Sequence, residues 1–192
     1  IPYAQAMLDY GTDKPDLRNP VIIRDVTSEF TASGFGLFEK IVGGGGVVRM
    51  IPAPETAGLS RKFFDDMNEW ARSEGHAGLG YATRKDGVFG GPIAKNHGED
   101  KMAALWDSLG LGPNDGAFFA AGKEEQAAKL AGAARSRVGE QLDLIDKDAF
   151  RFCWIIDFPF YEWSEEEKKL DFAHNPFSMP QGGLDALENQ DP

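Results

Sequence analysis

The stretch Ala117-Phe118-Phe119-Ala120-Ala121, followed after Gly122 by Lys123-Glu124-Glu125-Gln126-Ala127-Ala128-Lys129-Leu130-Ala131-Gly132-Ala133-Ala134-Arg135-Ser136-Arg137-Val138, decides the fold. Its unbroken apolar start reads as a strand. Ala127, Leu130, Ala131, Ala134, Val138, Leu142 and Ile145 then recur at helical spacing, which predicts a long helix over 123–145. Glu124 and Glu125 stand at the positive end of its dipole, and Gly132 and Gly139 weaken it modestly.

Upstream, Met102, Leu105, Trp106 and Leu109 fall at i, i+3, i+4 and i+7 and predict a short amphipathic helix, closed by Gly110 and Gly112-Pro113. Strand character over 78–85, the Asp86-Gly87 turn signal, and Val88-Phe89 with Ile93-Ala94 predict a hairpin. Ser60 precedes a helical pattern of Phe63, Phe64, Met67, Trp70 and Ala71 that Gly75 can end. Before it, alternation over 35–42, the four glycines Gly43 to Gly46, and Val47-Val48-Arg49-Met50-Ile51 predict another hairpin. The order β-β-α, β-β-α, β-α implies an α+β domain of two layers, with helices covering one face of a mainly antiparallel sheet.

The flanks read differently. Residues 1–20 are polar, and Pro15 and Pro20 disfavour helix before them, which predicts an extended arm. Residues 150–160 are almost continuously apolar and aromatic, as in a strand buried on both faces of a larger sheet. A charged turn over 163–169 leads to a return strand over 170–177, and 178–192 form a polar tail without a capping element.

The chain's 192 residues carry 42% hydrophobic residues and a formal charge of -11, so it is globular and has the wrong sign for a free-standing phosphate-backbone binder. No apolar run approaches membrane-spanning length, and the N-terminus lacks both an initiator Met and a signal-peptide pattern, as expected of a piece of something longer. Cys153, the single cysteine, fits a reducing compartment; Phe152 and Trp154 beside it favour an inert buried thiol. The glycine run lacks the Lys-Ser/Thr of a phosphate loop and precedes a strand, not a helix. Gly34-Phe35-Gly36 and Gly78-Leu79-Gly80 hold Glu39 and Thr83 where a dinucleotide fingerprint needs its third glycine.

His76, His97 and His174 are too scattered for metal ligation, and no metal site is expected. His76 and His97, each beside a glycine, read as exposed loop residues. His174 alternates with Phe172 on one strand face, where an antiparallel return brings it towards Asp157 or Glu162. That arrangement suits either a structural ion pair or a cationic imidazole that binds a substrate carboxylate. No nucleophile pattern accompanies it, so no catalytic residue is assigned.

Three stretches carry a more specific message. Tyr10-Gly11-Thr12-Asp13-Lys14-Pro15-Asp16-Leu17-Arg18-Asn19-Pro20 resembles a signature of bacterial-type aspartyl-tRNA synthetases. Phe152-Cys153-Trp154-Ile155-Ile156-Asp157-Phe158-Pro159 and His174-Asn175-Pro176-Phe177 resemble two active-site strands of that class II family, in the family's order. The intervening part, with Leu59-Ser60-Arg61-Lys62, resembles the GAD insertion domain, which also occurs in the B subunit of a tRNA-dependent amidotransferase. The resemblance implies a GAD domain at 21–147, inserted between catalytic-domain segments at 1–20 and 148–192 that belong to an antiparallel catalytic sheet.

It further implies a parent that converts L-aspartate and ATP to aspartyl-adenylate, with Mg2+, and passes the aspartyl group to tRNA. The parent is expected to be a cytoplasmic homodimer. His174 matches a histidine of the aspartate pocket, where a cationic imidazole favours carboxylate over the amide of asparagine. Asn175 stands where many relatives carry a second histidine, and class II motifs 2 and 3 and the anticodon-binding barrel have no counterpart here. The fragment alone is therefore expected to be inactive and to bind no cofactor. The alternative is a non-catalytic tRNA-interaction or spacer module using Arg84, Lys85, Arg135 or Arg137; a small-ligand-binding α+β protein is a third reading.

Overall fold

The computed structural model describes residues 1–164, 167–173 and 180–189. Its first element, α1 (Tyr3–Tyr10), starts after Pro2, whose missing N–H costs nothing at a helix start, and stops at Gly11 in the left-handed conformation, φ 67°. The prolines at 15 and 20 act too far downstream to prevent it, so the predicted extended arm contains a helix.

A five-stranded antiparallel sheet follows in the order β1-β2-β5-β3-β4. Its strands are β1 (Arg24–Asp25), β2 (Val47–Ala53), β3 (Gly80–Lys85), β4 (Val88–Gly90) and β5 (Gly116–Gly122). The connections are a 310 turn (Thr27–Phe30), α2 (Gly36–Gly43), α3 (Arg61–Ser73), α4 (Gly91–His97) and α5 (Glu99–Ser108), and α6 (Glu124–Gln141) follows β5. The α+β class and the antiparallel sheet are as expected. The layering is not: helices lie on both faces, giving three layers.

The reason is in the two central strands, which are apolar at consecutive positions. Ile51, Ala53, Phe118 and Ala120 pack with Phe64 and Met67 of α3 and Leu130, Ala134 and Val138 of α6. Val48, Met50, Ala117 and Phe119 face the other way, towards Phe30, Phe38 of α2, Ile93 of α4 and Trp106 of α5. A sheet apolar on both sides needs a layer on each.

Other corrections share that cause. Phe38, Ile41 and Val42 lie at i, i+3 and i+4 as well as within an alternating octet, and packing on the second face selects helix over the predicted strand. Ile93 and Ala94 likewise belong to α4 and not to a hairpin. The long helix ends at Gln141 and not Ile145, just before Asp143 adopts φ 51°.

Beyond α6, residues 150–160 form no continuous strand; only Ile156 is bridged, to Pro2, in parallel. The return strand expected over 170–177 is seen as Lys169–Phe172 (β7), paired with Tyr161–Ser164 (β6), which takes in the start of the expected turn; residues 174–177 lie outside the described residues, and Gly183–Asn189 (α7) places a helix in the predicted tail. Among the described residues, no helix is long and apolar enough to cross a membrane.

Candidate functional site

Within the segment that resembles an active-site strand, residues 154–158 meet the first three residues of the chain. The Ile1 amino group donates to the Trp154 carbonyl at 2.7 Å, the Ile156 amide donates to the Ile1 carbonyl at 3.0 Å, and the Tyr3 amide donates to the Ile156 carbonyl at 2.8 Å. The Tyr3 ring meets Phe158 with centroids 5.1 Å apart. Phe150, Phe152 and Trp154 remain almost fully exposed, and Cys153 is exposed too, contrary to its expected burial, because no layer among the described residues covers the segment.

On its other side, α1 lies against α6 at a place where both chains dispense with side chains. A Cβ on Gly132 would lie 2.7 Å from the Gly11 carbonyl oxygen, and one on Gly11 would lie 2.3 Å from that of Ala128. This close approach brings residues 10–21 over α6. There Arg135, expected as a candidate tRNA contact, is 1% exposed.

Its Nε donates to the Val21 carbonyl at 2.6 Å, and its Nη2 donates to the carbonyls of Asp16 at 3.0 Å and Asn19 at 2.7 Å. The guanidinium lies 4.9 Å from the Tyr10 ring centroid, and the Asn19 side-chain amide returns a bond to the Arg135 carbonyl at 2.9 Å. Burial lowers the Arg135 pKa, with Tyr10 and Asp16 opposing. Sequence reasoning missed this role, although Ala128, Gly132 and Gly139 flank Arg135 as a small-residue stripe that signals another chain in contact.

In the same loop, Arg18 grips Asp16 with two hydrogen bonds, Nε to Oδ1 at 2.9 Å and Nη2 to Oδ2 at 2.8 Å. Those side-chain hydrogen bonds hold the Asp16 carboxyl down at about 2. The pair is part-exposed and shapes the loop more than it stabilises it.

The other basic candidates are only partly free. Arg84 pairs with Asp107 at 3.0 Å, Arg137 lies over Trp70 at 4.9 Å, and Lys85 is exposed. His76 lies in the loop after α3, as expected, but is half-buried and not fully exposed. His97 does not: it closes α4, is buried, and lies tilted against the Phe30 ring, centroids 4.5 Å apart, with neither ring nitrogen hydrogen-bonded.

His174, the predicted L-aspartate contact, lies outside the described residues, as does Asn175. Of its two predicted neighbours, Asp157 accepts a hydrogen bond from the Gln181 side chain at 2.8 Å, and Glu162 pairs across the hairpin with Asp171 in backbone register. Among the described residues, no three His, Cys, Asp or Glu side chains are grouped to hold a metal ion.

Comparison with known proteins matches residues 38–131 to the GAD domain family model. Over all 192 residues, the chain is 79% identical to an aspartate--tRNA(Asp/Asn) ligase of Novosphingobium aromaticivorans, 72% to one of Erythrobacter litoralis and 66% to one of Zymomonas mobilis. It spans about a third of the length of these curated relatives, 32% in each case. With matches that run over all 192 residues and a GAD domain match inside them, the chain corresponds to one portion of the bacterial aspartyl-tRNA synthetases it resembles.

Proposed function

We propose that the parent protein is an aspartate-tRNA ligase, a class II synthetase that activates L-aspartate with ATP, releases pyrophosphate, and transfers the aspartyl group from aspartyl-adenylate to tRNA. The observation that carries this reading is identity of 66–79% to such ligases over all 192 residues. In this reading residues 21–147 are the inserted GAD domain, and residues 1–20 and 148–192 belong to the catalytic domain of a cytoplasmic homodimer. Mg2+ would be held by residues outside those described here, and no step is assigned to it.

His174 binds the substrate carboxylate in this scheme. A cationic imidazole donates to aspartate's side-chain carboxylate, and the amide of asparagine leaves that donor poorly matched. The relatives are named for tRNA(Asp/Asn), and the parent is assigned the same pair of tRNAs.

Aspartate-dependent pyrophosphate exchange tests the reading. The full-length parent is expected to exchange, and the 192-residue chain by itself is not; exchange by the isolated chain, or none by the parent, overturns the respective half. In the parent, His174→Ala is expected to weaken aspartate use and selectivity against asparagine, and unchanged aspartate kinetics remove the assignment.

A further inference from the structure

Arg135 is a buried cation whose three hydrogen-bond acceptors are main-chain carbonyls, not carboxylates. Such a group carries a desolvation cost that an apolar side chain at the same place avoids. What the guanidinium supplies instead is a rigid planar fork that holds separate acceptors in fixed relation. The acceptors belong to residues 16, 19 and 21, a segment with no strand or helix of its own to hold it.

The grip extends in both directions. The Asp146 amide donates to the Arg18 carbonyl at 3.2 Å, which adds a second tie beyond the end of α6. The Ile23 amide donates to the Asp9 carbonyl at 2.9 Å, which ties the exit of the loop back to α1. The far end of α1 is joined to Ile156 through Tyr3. Eight helical residues, about 12 Å at the rise of an α-helix, therefore separate the clamped loop from the segment that resembles an active-site strand.

We propose that Arg135 is a positioning residue: through the carbonyls of Asp16, Asn19 and Val21, it fixes α1 and thereby the placement of residues 154–158 relative to the GAD domain. Its consequence for catalysis rests on the synthetase reading; the structural clamp does not. The inserted domain then does more than occupy space, because its last helix sets where a catalytic segment begins.

The test is made in the full-length parent with Arg135→Met and Arg135→Lys. Lysine keeps the charge and can reach one or two carbonyls but lacks the fork. Amide hydrogen exchange at Tyr3, Ile23 and Ile156 is expected to accelerate at least tenfold in Arg135→Met and by less in Arg135→Lys, with β2 and β5 unchanged. Pyrophosphate-exchange kcat is expected to fall at least tenfold in Arg135→Met and to recover partly in Arg135→Lys.

Wild-type protection at those three amides overturns the clamp, and so does acceleration spread equally over β2 and β5. Loosened amides with unchanged kcat overturn the positioning role. If Arg135→Met does not fold, the lysine variant decides by the same criteria. A wild-type parent without aspartate-dependent exchange removes the synthetase reading, and the amide pattern still decides the clamp.

Discussion

Phe119 and Phe152 both stand in apolar, aromatic stretches, yet the first is 1% exposed and the second 90%. Phe119 lies in a central strand with Phe30 on one side and neighbouring strands along both edges. Phe152 follows the last helix that packs on the sheet and finds no layer above it among the described residues. Apolar sequence sets how strongly a segment seeks burial; the availability of a complementary layer decides whether it is buried.

The largest expected effect bears directly on that contrast. Phe119→Ala should cost about 3–5 kcal/mol in urea denaturation, the range for a buried phenylalanine. In the isolated chain, Phe152→Ala should remain within about 0.5 kcal/mol. Equal losses would show that the aromatic segment is buried after all in this chain. A large loss for Phe152→Ala in the parent only would locate the missing layer there.

Gly132→Ala is expected next, at about 1–3 kcal/mol, because its Cβ meets the backbone of Gly11 and Tyr10, which cannot swing aside as a side chain can. The damage should be local: amide exchange rises in α1 and stays unchanged in β5. A uniform rise would mean that the arm and the sheet form one cooperative unit.

His97 probes the second face of the sheet under acid. Burial lowers its pKa, Lys101 adds to the lowering, and Glu29 opposes it. As pH falls through about 6.5, the unfolded imidazole takes up a proton while the folded one stays neutral, so stability declines below that pH. His97→Leu should flatten the decline between pH 7 and 5, read as the urea midpoint. An unchanged slope would move the acid sensitivity elsewhere.

The smallest effect belongs to the exposed side of α6. Lys129 and Glu125 pair at i,i+4, 2.6 Å apart, and Lys129→Ala should cost no more than about 0.5 kcal/mol in thermal or urea unfolding. A loss comparable to that of Gly132→Ala would give this solvent-facing pair an unexpected part in holding α1.

Legibility followed the same divide. The helix from Arg61, the turn at Asp86-Gly87 and the strand at 116–122 could be read because periodicity and turn chemistry there agree with the packing. Residues 36–43 fit two periods at once, and contact with Phe30 and the sheet chose between them. The candidate site was legible as motifs and not as geometry. Tyr10 to Pro20 and residues 152–159 could be matched by their order of side chains, but the contact of 154–158 with Ile1 and Tyr3 runs largely through backbone groups that every residue carries. Arg135 looked like a surface cation because a guanidinium's ordinary place is in water; only the approach of residues 10–21 over α6 at Gly132 buried it.

The amino-acid sequence by itself determined the α+β class, the positions of the strongly periodic helices, the apolar central strands and the family resemblance, since these depend on local spacing and residue type. Tertiary structure alone decided that the sheet is covered on both faces, that His97 and Arg135 are buried, and that the exposed aromatic segment begins from α1. Those outcomes depend on which surfaces meet across long separations in the chain, and burial is a property of the meeting surfaces and not of either one alone.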